Sequence, residues 1–186
     1  MTPAATVEGH ERLRLFVGLP LPADAAERLA AWQRRELAEI AGARLVPPEN
    51  LHVTVAFLGH RPSGDVGGIL GVLRGTARAV ELPVLTPARY RETRSVGMVV
   101  FVDKDGRATR LAGEVGEGLE RLGVYERERR KWLPHVTVLR FRVPPRVAPP
   151  VPDLGPVSPS EVALYHSVLR PTGAQYEILQ SVPLGG

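Results

Sequence analysis

Pro48-Glu49-Asn50-Leu51-His52-Val53-Thr54-Val55-Ala56-Phe57-Leu58-Gly59 is the stretch on which the reading of this chain turns. Residues Leu51–Leu58 alternate, which predicts a strand with Leu51, Val53, Val55 and Phe57 on one face. His52, Thr54, Ala56 and Leu58 then share the other. The turn Pro47-Pro48-Glu49-Asn50 leads into it. The tetrapeptide His52-Val53-Thr54-Val55 returns 83 residues later as His135-Val136-Thr137-Val138. With five histidines in the chain, chance gives about 0.005 such repeats, so the repeat is structural. Each copy follows a helical segment and a loop. Two similar lobes are expected, each giving one strand to a shared cleft.

Residues i and i+2 of a strand project from the same face, so His and Thr stand roughly 6–7 Å apart along it while the valines turn inward. Two such strands bring two imidazoles and two hydroxyls around one small space. Histidine titrates near pH 6.5, so one copy can serve as base and the other as acid at the same pH. Threonine hydroxyls can donate to non-bridging phosphate oxygens without adding charge. This equipment suits displacement at phosphorus without a metal. One histidine deprotonates the attacking water and the other protonates the leaving oxygen. No His-x-His, His-Glu-x-x-His or Gly-x-Ser-x-Gly pattern supports a metal site or a serine nucleophile.

Outward from this strand, Arg12–Leu19 alternates as another, with Leu13, Leu15 and Val17 on one face. Helical spacing runs from Pro22–Asp24 to about Ala41, with Ala26, Leu29, Ala30, Leu37 and Ile40 as its apolar stripe. A glycine-spaced helix is expected over about 65–80, strands over 84–91 and 96–102, and a helix over 107–122. A strand follows at about 135–142, and the seven prolines of Val143–Pro159 make that segment a loop. Two strands, about 161–169 and 175–182, close the chain. Strands outnumber helices and hairpin links are common, which gives an α+β fold with antiparallel sheets.

The 186 residues fit one domain of two packed lobes, with residues 1–11 a loose tail. There is no cysteine, which excludes a disulfide scaffold, a cysteine nucleophile and cysteine-ligated metals. The net charge of +4 is compatible with a phosphate-bearing partner, and of the 24 basic residues all but Lys104 and Lys131 are arginine. No apolar run approaches the ~20 residues of a membrane helix and no secretory signal opens the chain, so a soluble, cytoplasmic protein without membrane contact is expected.

Taken with its surroundings, the duplicated His-x-Thr motif resembles the 2H phosphoesterases, in particular their RNA 2′,3′-cyclic phosphodiesterase (2′-5′ RNA ligase) branch. The matching blocks are Arg14-Leu15-Phe16-Val17, Pro48–Gly59, Pro134-His135-Val136-Thr137-Val138-Leu139-Arg140, and Leu164-Tyr165-His166-Ser167 followed by Gly173 and Tyr176. The resemblance implies a bilobal α+β domain, two pseudo-symmetric antiparallel sheets flanked by helices around a central cleft. It also implies opening of a terminal ribose 2′,3′-cyclic phosphate to a 2′-phosphate without cofactor or metal. His52 then corresponds to the proton donor and His135 to the proton acceptor, with Thr54 and Thr137 holding phosphate oxygens. The expected partners are RNA ends carrying the cyclic phosphate, tRNA fragments among them, bound by a monomer.

Arg140 commonly contacts phosphate in such proteins, yet strict alternation from His135 puts it on the opposite face, a conflict that a bulge would remove. Trp132 is placed either as a stacking platform for a base or as a core or rim residue. Arg130, with Arg127, Arg129 and Lys131, either meets the RNA backbone or belongs to a solvated loop with Glu126 and Glu128. Two other functions fit the same motifs. One is a sister enzyme acting on 2′-5′-linked RNA or a small cyclic nucleotide; the other is a non-catalytic module binding RNA ends.

Overall fold

A computed structural model describes residues 11–185. The expected tail, apart from Glu11, lies outside the described residues. The elements run β1 (Arg12–Pro20), α1 (Ala23–Leu37), β2 (Ala43–Leu45), β3 (His52–Pro62), α2 (Val66–Ala77), β4 (Leu85–Glu92), β5 (Val96–Asp103), α3 (Arg107–Arg121), β6 (His135–Phe141), β7 (Glu161–Arg170) and β8 (Gly173–Pro183). Every long element follows from its periodicity. In α2, Ile69, Leu70, Leu73 and Ala77 are buried as the spacing predicts. In α3 the stripe Leu111, Val115 and Leu119 is fully buried. The first turn of α3 is held by Asp103, whose carboxylate accepts from the Thr109 and Ala108 amides at 2.7 and 3.3 Å. That side chain satisfies donors the helix itself leaves unpaired.

The strands pair antiparallel throughout, in the order β4-β5-β6-β3-β1-β7-β8, with β2 on the side of β6. Two half-sheets with helices packed on them flank a central cleft, as the α+β reading expected. A single residue pair among the described residues, Val53 opposite Val136, joins β3 to β6 and so the halves to each other. On either side of it lie equivalent units: β1-α1-β3, with Leu19 opposite Val53, and β5-α3-β6, with Val99 opposite Val136. The larger apolar core runs under both halves and takes in Leu15, Val17, Leu19, Val53, Val55, Val99, Val136 and Val138, while Phe16, Ala163 and Tyr165 form a second, small cluster.

Two expectations are corrected. Helix α1 stops at Leu37 instead of near Ala41, because Ile40 and Ala43 turn back onto the carbonyls of Leu37 and Ile40. The chain is thereby freed to form β2, which the sequence pattern did not reveal. Its buried stripe also differs: Trp32 and Gln33 are buried where Ala26 is only half-buried.

The second correction concerns β3. Alternation predicts Phe57 on the face of Val53 and Val55, but the register against β1 passes from Gly18–Thr54 to Val17–Ala56 and leaves Val55 as an extra residue. This bulge reverses the alternation, so Ala56 and Leu58 are buried and Phe57 is 50% exposed on the face of His52 and Thr54. The second motif does the same: Met98 pairs with Thr137 and Gly97 with Leu139, so Val138 is the extra residue and Arg140 turns to the face of His135 and Thr137. The bulge removes the conflict over Arg140.

Helix α1 supports that second bulge. The carbonyl of Val138 accepts from the Val46 amide at 3.0 Å and from the Gln33 side-chain amide at 2.7 Å. Gln33 is 1% exposed and also donates to the Val46 carbonyl at 3.1 Å. Gln33→Leu removes both bonds from buried carbonyls, and is expected to lower unfolding free energy by ~1–3 kcal/mol in urea titrations.

Candidate active site

The antiparallel register about Val53–Val136 decides what meets at the cleft. His52 and Thr54 flank Val53, and His135 and Thr137 flank Val136, all four on the face away from the core. Across the junction His52 lies toward Thr137 and Thr54 toward His135, which leaves the two histidines diagonal to each other. The two imidazoles are anchored alike. Nδ1 of His52 lies 2.8 Å from the carbonyl oxygen of Asn50, and Nδ1 of His135 lies 2.7 Å from that of Leu133. Each Nδ1–H donates to the carbonyl two residues back, which commits Nε2 to whatever occupies the cleft. Nε2 of His52 is 3.0 Å from Thr54 Oγ1, the hydroxyl donating to the neutral ring.

A cavity of about 170 Å³ opens here, lined by His52, Thr54, Thr137 and Arg140 together with Arg14, Phe16, Val46, Asn50, Phe57 and Tyr176. Among the described residues no carboxylate lines it. Behind His52 stands an aromatic wall: Phe16, Tyr165 and Tyr176 have ring centroids 4.8, 5.3 and 5.5 Å from the imidazole. Gly18 makes the approach possible, since a Cβ there would sit 3.1 Å from His52 Cδ2 and 3.2 Å from Tyr165 Cε2. Burial among these rings lowers the His52 imidazole to about 4. The nearby charges of His135 and Arg140 push it the same way, against the Asn50 carbonyl, which favours the charged form.

Of the remaining sequence candidates, Arg140 reaches the cavity and donates to Tyr176 Oη at 3.3 Å. His135 does not line it, and neither does Trp132. Its indole N–H donates to the Thr54 carbonyl at 3.0 Å and its rings pack on the core, tying the approach to the second motif onto the first. Arg130 is exposed and bonded to Glu128 at 2.5 Å. Among the described residues no group of three or more His, Asp or Glu side chains could hold a metal ion. The sequence candidates did not include Arg14, Phe16, Asn50, Phe57 or Tyr176. Arg14 and Phe16 carried a legible signal, since they alternate with the apolar Leu13, Leu15 and Val17.

Comparison with known proteins agrees with this geometry. Residues 19–85 match the family described as LigT like Phosphoesterase. The RNA 2′,3′-cyclic phosphodiesterase of Thermus thermophilus is 31% identical over 94% of this chain and 91% of its own length. The chain belongs to the LigT-like phosphoesterase family. It is a phosphodiesterase, a hydrolase of the 2H class. Its fold superposes on TT0787 of Thermus thermophilus with a TM-score of 0.80 at 28% identity, covering 94% of this chain and 99% of that one. The E. coli LigT complex with NADP+ gives 0.78 at 25% identity, covering 95% and 100%. No helix among the described residues is long and apolar enough to cross a membrane.

The depressed His52 value makes this phosphoesterase site sensitive to acid. Above pH 6.5 the ring is neutral in both the folded and the unfolded chain and contributes no pH dependence. Between 6.5 and about 4 the unfolded chain takes up a proton that the folded one refuses, so stability falls as pH falls. His52→Gln removes this dependence. The difference in unfolding free energy between the wild type and His52→Gln is expected to shift against the wild type by up to ~3 kcal/mol from pH 7 to pH 4, read by urea titration at each pH.

Proposed function

We propose that the enzyme hydrolyses the 2′,3′-cyclic phosphate at RNA ends to a 2′-phosphomonoester, by acid–base catalysis between His52 and His135 without a metal. The observation that carries this reading is the pairing of both His-x-Thr motifs on one face about Val53–Val136, with His52, Thr54 and Thr137 lining a cavity that no carboxylate of the described residues enters. Its Thermus thermophilus relative is named for that reaction, and E. coli LigT has been crystallised with 3′-AMP. Water attacks phosphorus as one imidazole Nε2 takes its proton. The P–O3′ bond breaks, the other imidazole protonates O3′, and a 3′-hydroxyl and a 2′-phosphate result. Thr54 and Thr137 donate to the non-bridging oxygens, and Arg140 balances the charge that builds there.

His52 is assigned as the proton donor and His135 as the acceptor. The unliganded site keeps His52 neutral at pH 7, so in this assignment the substrate must bring the proton with it. An anionic phosphate beside Nε2 does so by offsetting burial and the field of Arg140. The same observation favours a second reading in which the neutral His52, already accepting from Thr54, is the base and His135 the acid.

Incubating the protein with RNA ending in a 2′,3′-cyclic phosphate, in excess chelator, and identifying the product ends tests the function. A 2′-phosphate is expected; a 3′-phosphate, or activity that returns only with a divalent ion, refutes it. His52→Ala and His135→Ala should each be folded and nearly inactive, with losses that do not add.

A cyclic substrate with sulfur in place of O3′ leaves without help from an acid. It should partly rescue whichever variant lacks the proton donor: His52→Ala on the first assignment, His135→Ala on the second. Thr54→Ala and Thr137→Ala are expected to lower kcat roughly 10- to 100-fold each, with unfolding midpoints near wild type.

A further inference from the structure

Arg14 lines the cavity but has no part in the chemistry just described. On β1 it shares a face with Phe16 and Gly18, and Gly18 abuts His52. Four residues of strand place its backbone about 13 Å from that contact. Its guanidinium carbon lies 4.8 Å from the centroid of the Phe57 ring, which the Val55 bulge turned to this face. Nη1 donates at 2.8 Å to Ser167 Oγ, on a residue only 3% exposed. A buried hydroxyl and an aromatic face thus fix the side chain without neutralising it. Neither Arg14 nor Arg140 joins any ion pair among the described residues, and of the arginines only these two line the cavity. A cyclic phosphodiester carries one negative charge, already met by Arg140, two hydroxyls and an imidazole. The second fixed cation has no counterpart in it.

We propose that Arg14 binds a second phosphate of the same substrate, one nucleotide step from the reacting one, so that the site selects ends bearing a neighbouring phosphate over nucleosides with the cyclic phosphate alone. A guanidinium held in one orientation, with donors left over, suits a phosphate's oxygens better than a mobile ammonium does. The inference rests on the proposed phosphate site, and binding can test it apart from turnover.

The probes are adenosine 3′-monophosphate and adenosine 3′,5′-bisphosphate, titrated calorimetrically. The wild type should bind the bisphosphate about 10-fold or more tighter. Arg14→Gln should bring that ratio to within about 2-fold of unity, and Arg14→Lys should lower it about 3-fold by losing the planar fork. Arg140→Gln should weaken both ligands alike. The ratio of kcat/KM for adenosine 2′,3′-cyclic phosphate with and without a 5′-phosphate should follow the same pattern. A ratio unchanged in both Arg14 variants overturns the proposal, as does one that follows the base when cytidine replaces adenosine. If the binding ratio behaves as expected but neither cyclic substrate is hydrolysed, the proposed reaction fails and the second phosphate site stands.

Discussion

The pairing of Val53 with Val136 is the constraint from which the rest of the site is measured. A strand presents alternate residues to opposite faces, so burying these two valines in one core forces their four neighbours onto the open face. A slip of one residue at this junction would bury the histidines and expose the valines. Burial of Val53 and Val136, both 0% exposed, therefore holds the register. Beyond the pair the strands part company and turn to different partners, β3 to β1 and β6 to β5, which opens the cleft between them.

The bulges at Val55 and Val138 extend this arrangement beyond the tetrapeptides. Each inserts one residue after the Thr and turns the third residue beyond it into the cleft: Phe57 in one half and Arg140 in the other. Equivalent positions thus carry different chemistry. One half supplies an aromatic face on which Arg14 rests, and the other a guanidinium aimed at the cavity. The backbone is close to symmetric while the side chains are not, as a reaction with an attacking and a leaving oxygen requires.

The same asymmetry marks the two histidines. Both give Nδ1–H to the carbonyl two residues back, so their orientation is set identically. Only His52 lies against Phe16, Tyr165 and Tyr176, and burial there disfavours its charged form. Removing a protonated imidazole from water costs free energy that only an arriving anion can offset. A cleft that, among the described residues, holds two unpaired arginines and no lining carboxylate is suited to receive one.

The sequence by itself determined the strands other than β2, the helices α1 to α3 and the repeated motif, because each rests on a local period that needs no partner to be read. Leu51–Val55 and His135–Val138 alternate whatever they pack against, and α2 and α3 bury the residues their spacing named. Sequence and family resemblance together also picked out His52, Thr54, His135, Thr137 and Arg140. Only the tertiary structure decided the register at Val53–Val136, the two bulges, the end of α1 and the strand β2. It alone brought Arg14, Asn50, Phe57 and Tyr176 to the cavity, and it sent Trp132 to the core and Arg130 to Glu128. A bulge is defined by what the neighbouring strand leaves unpaired, and a cavity wall by elements far apart in the chain. Neither leaves a period in the sequence, because both are properties of pairs of strands and not of a strand.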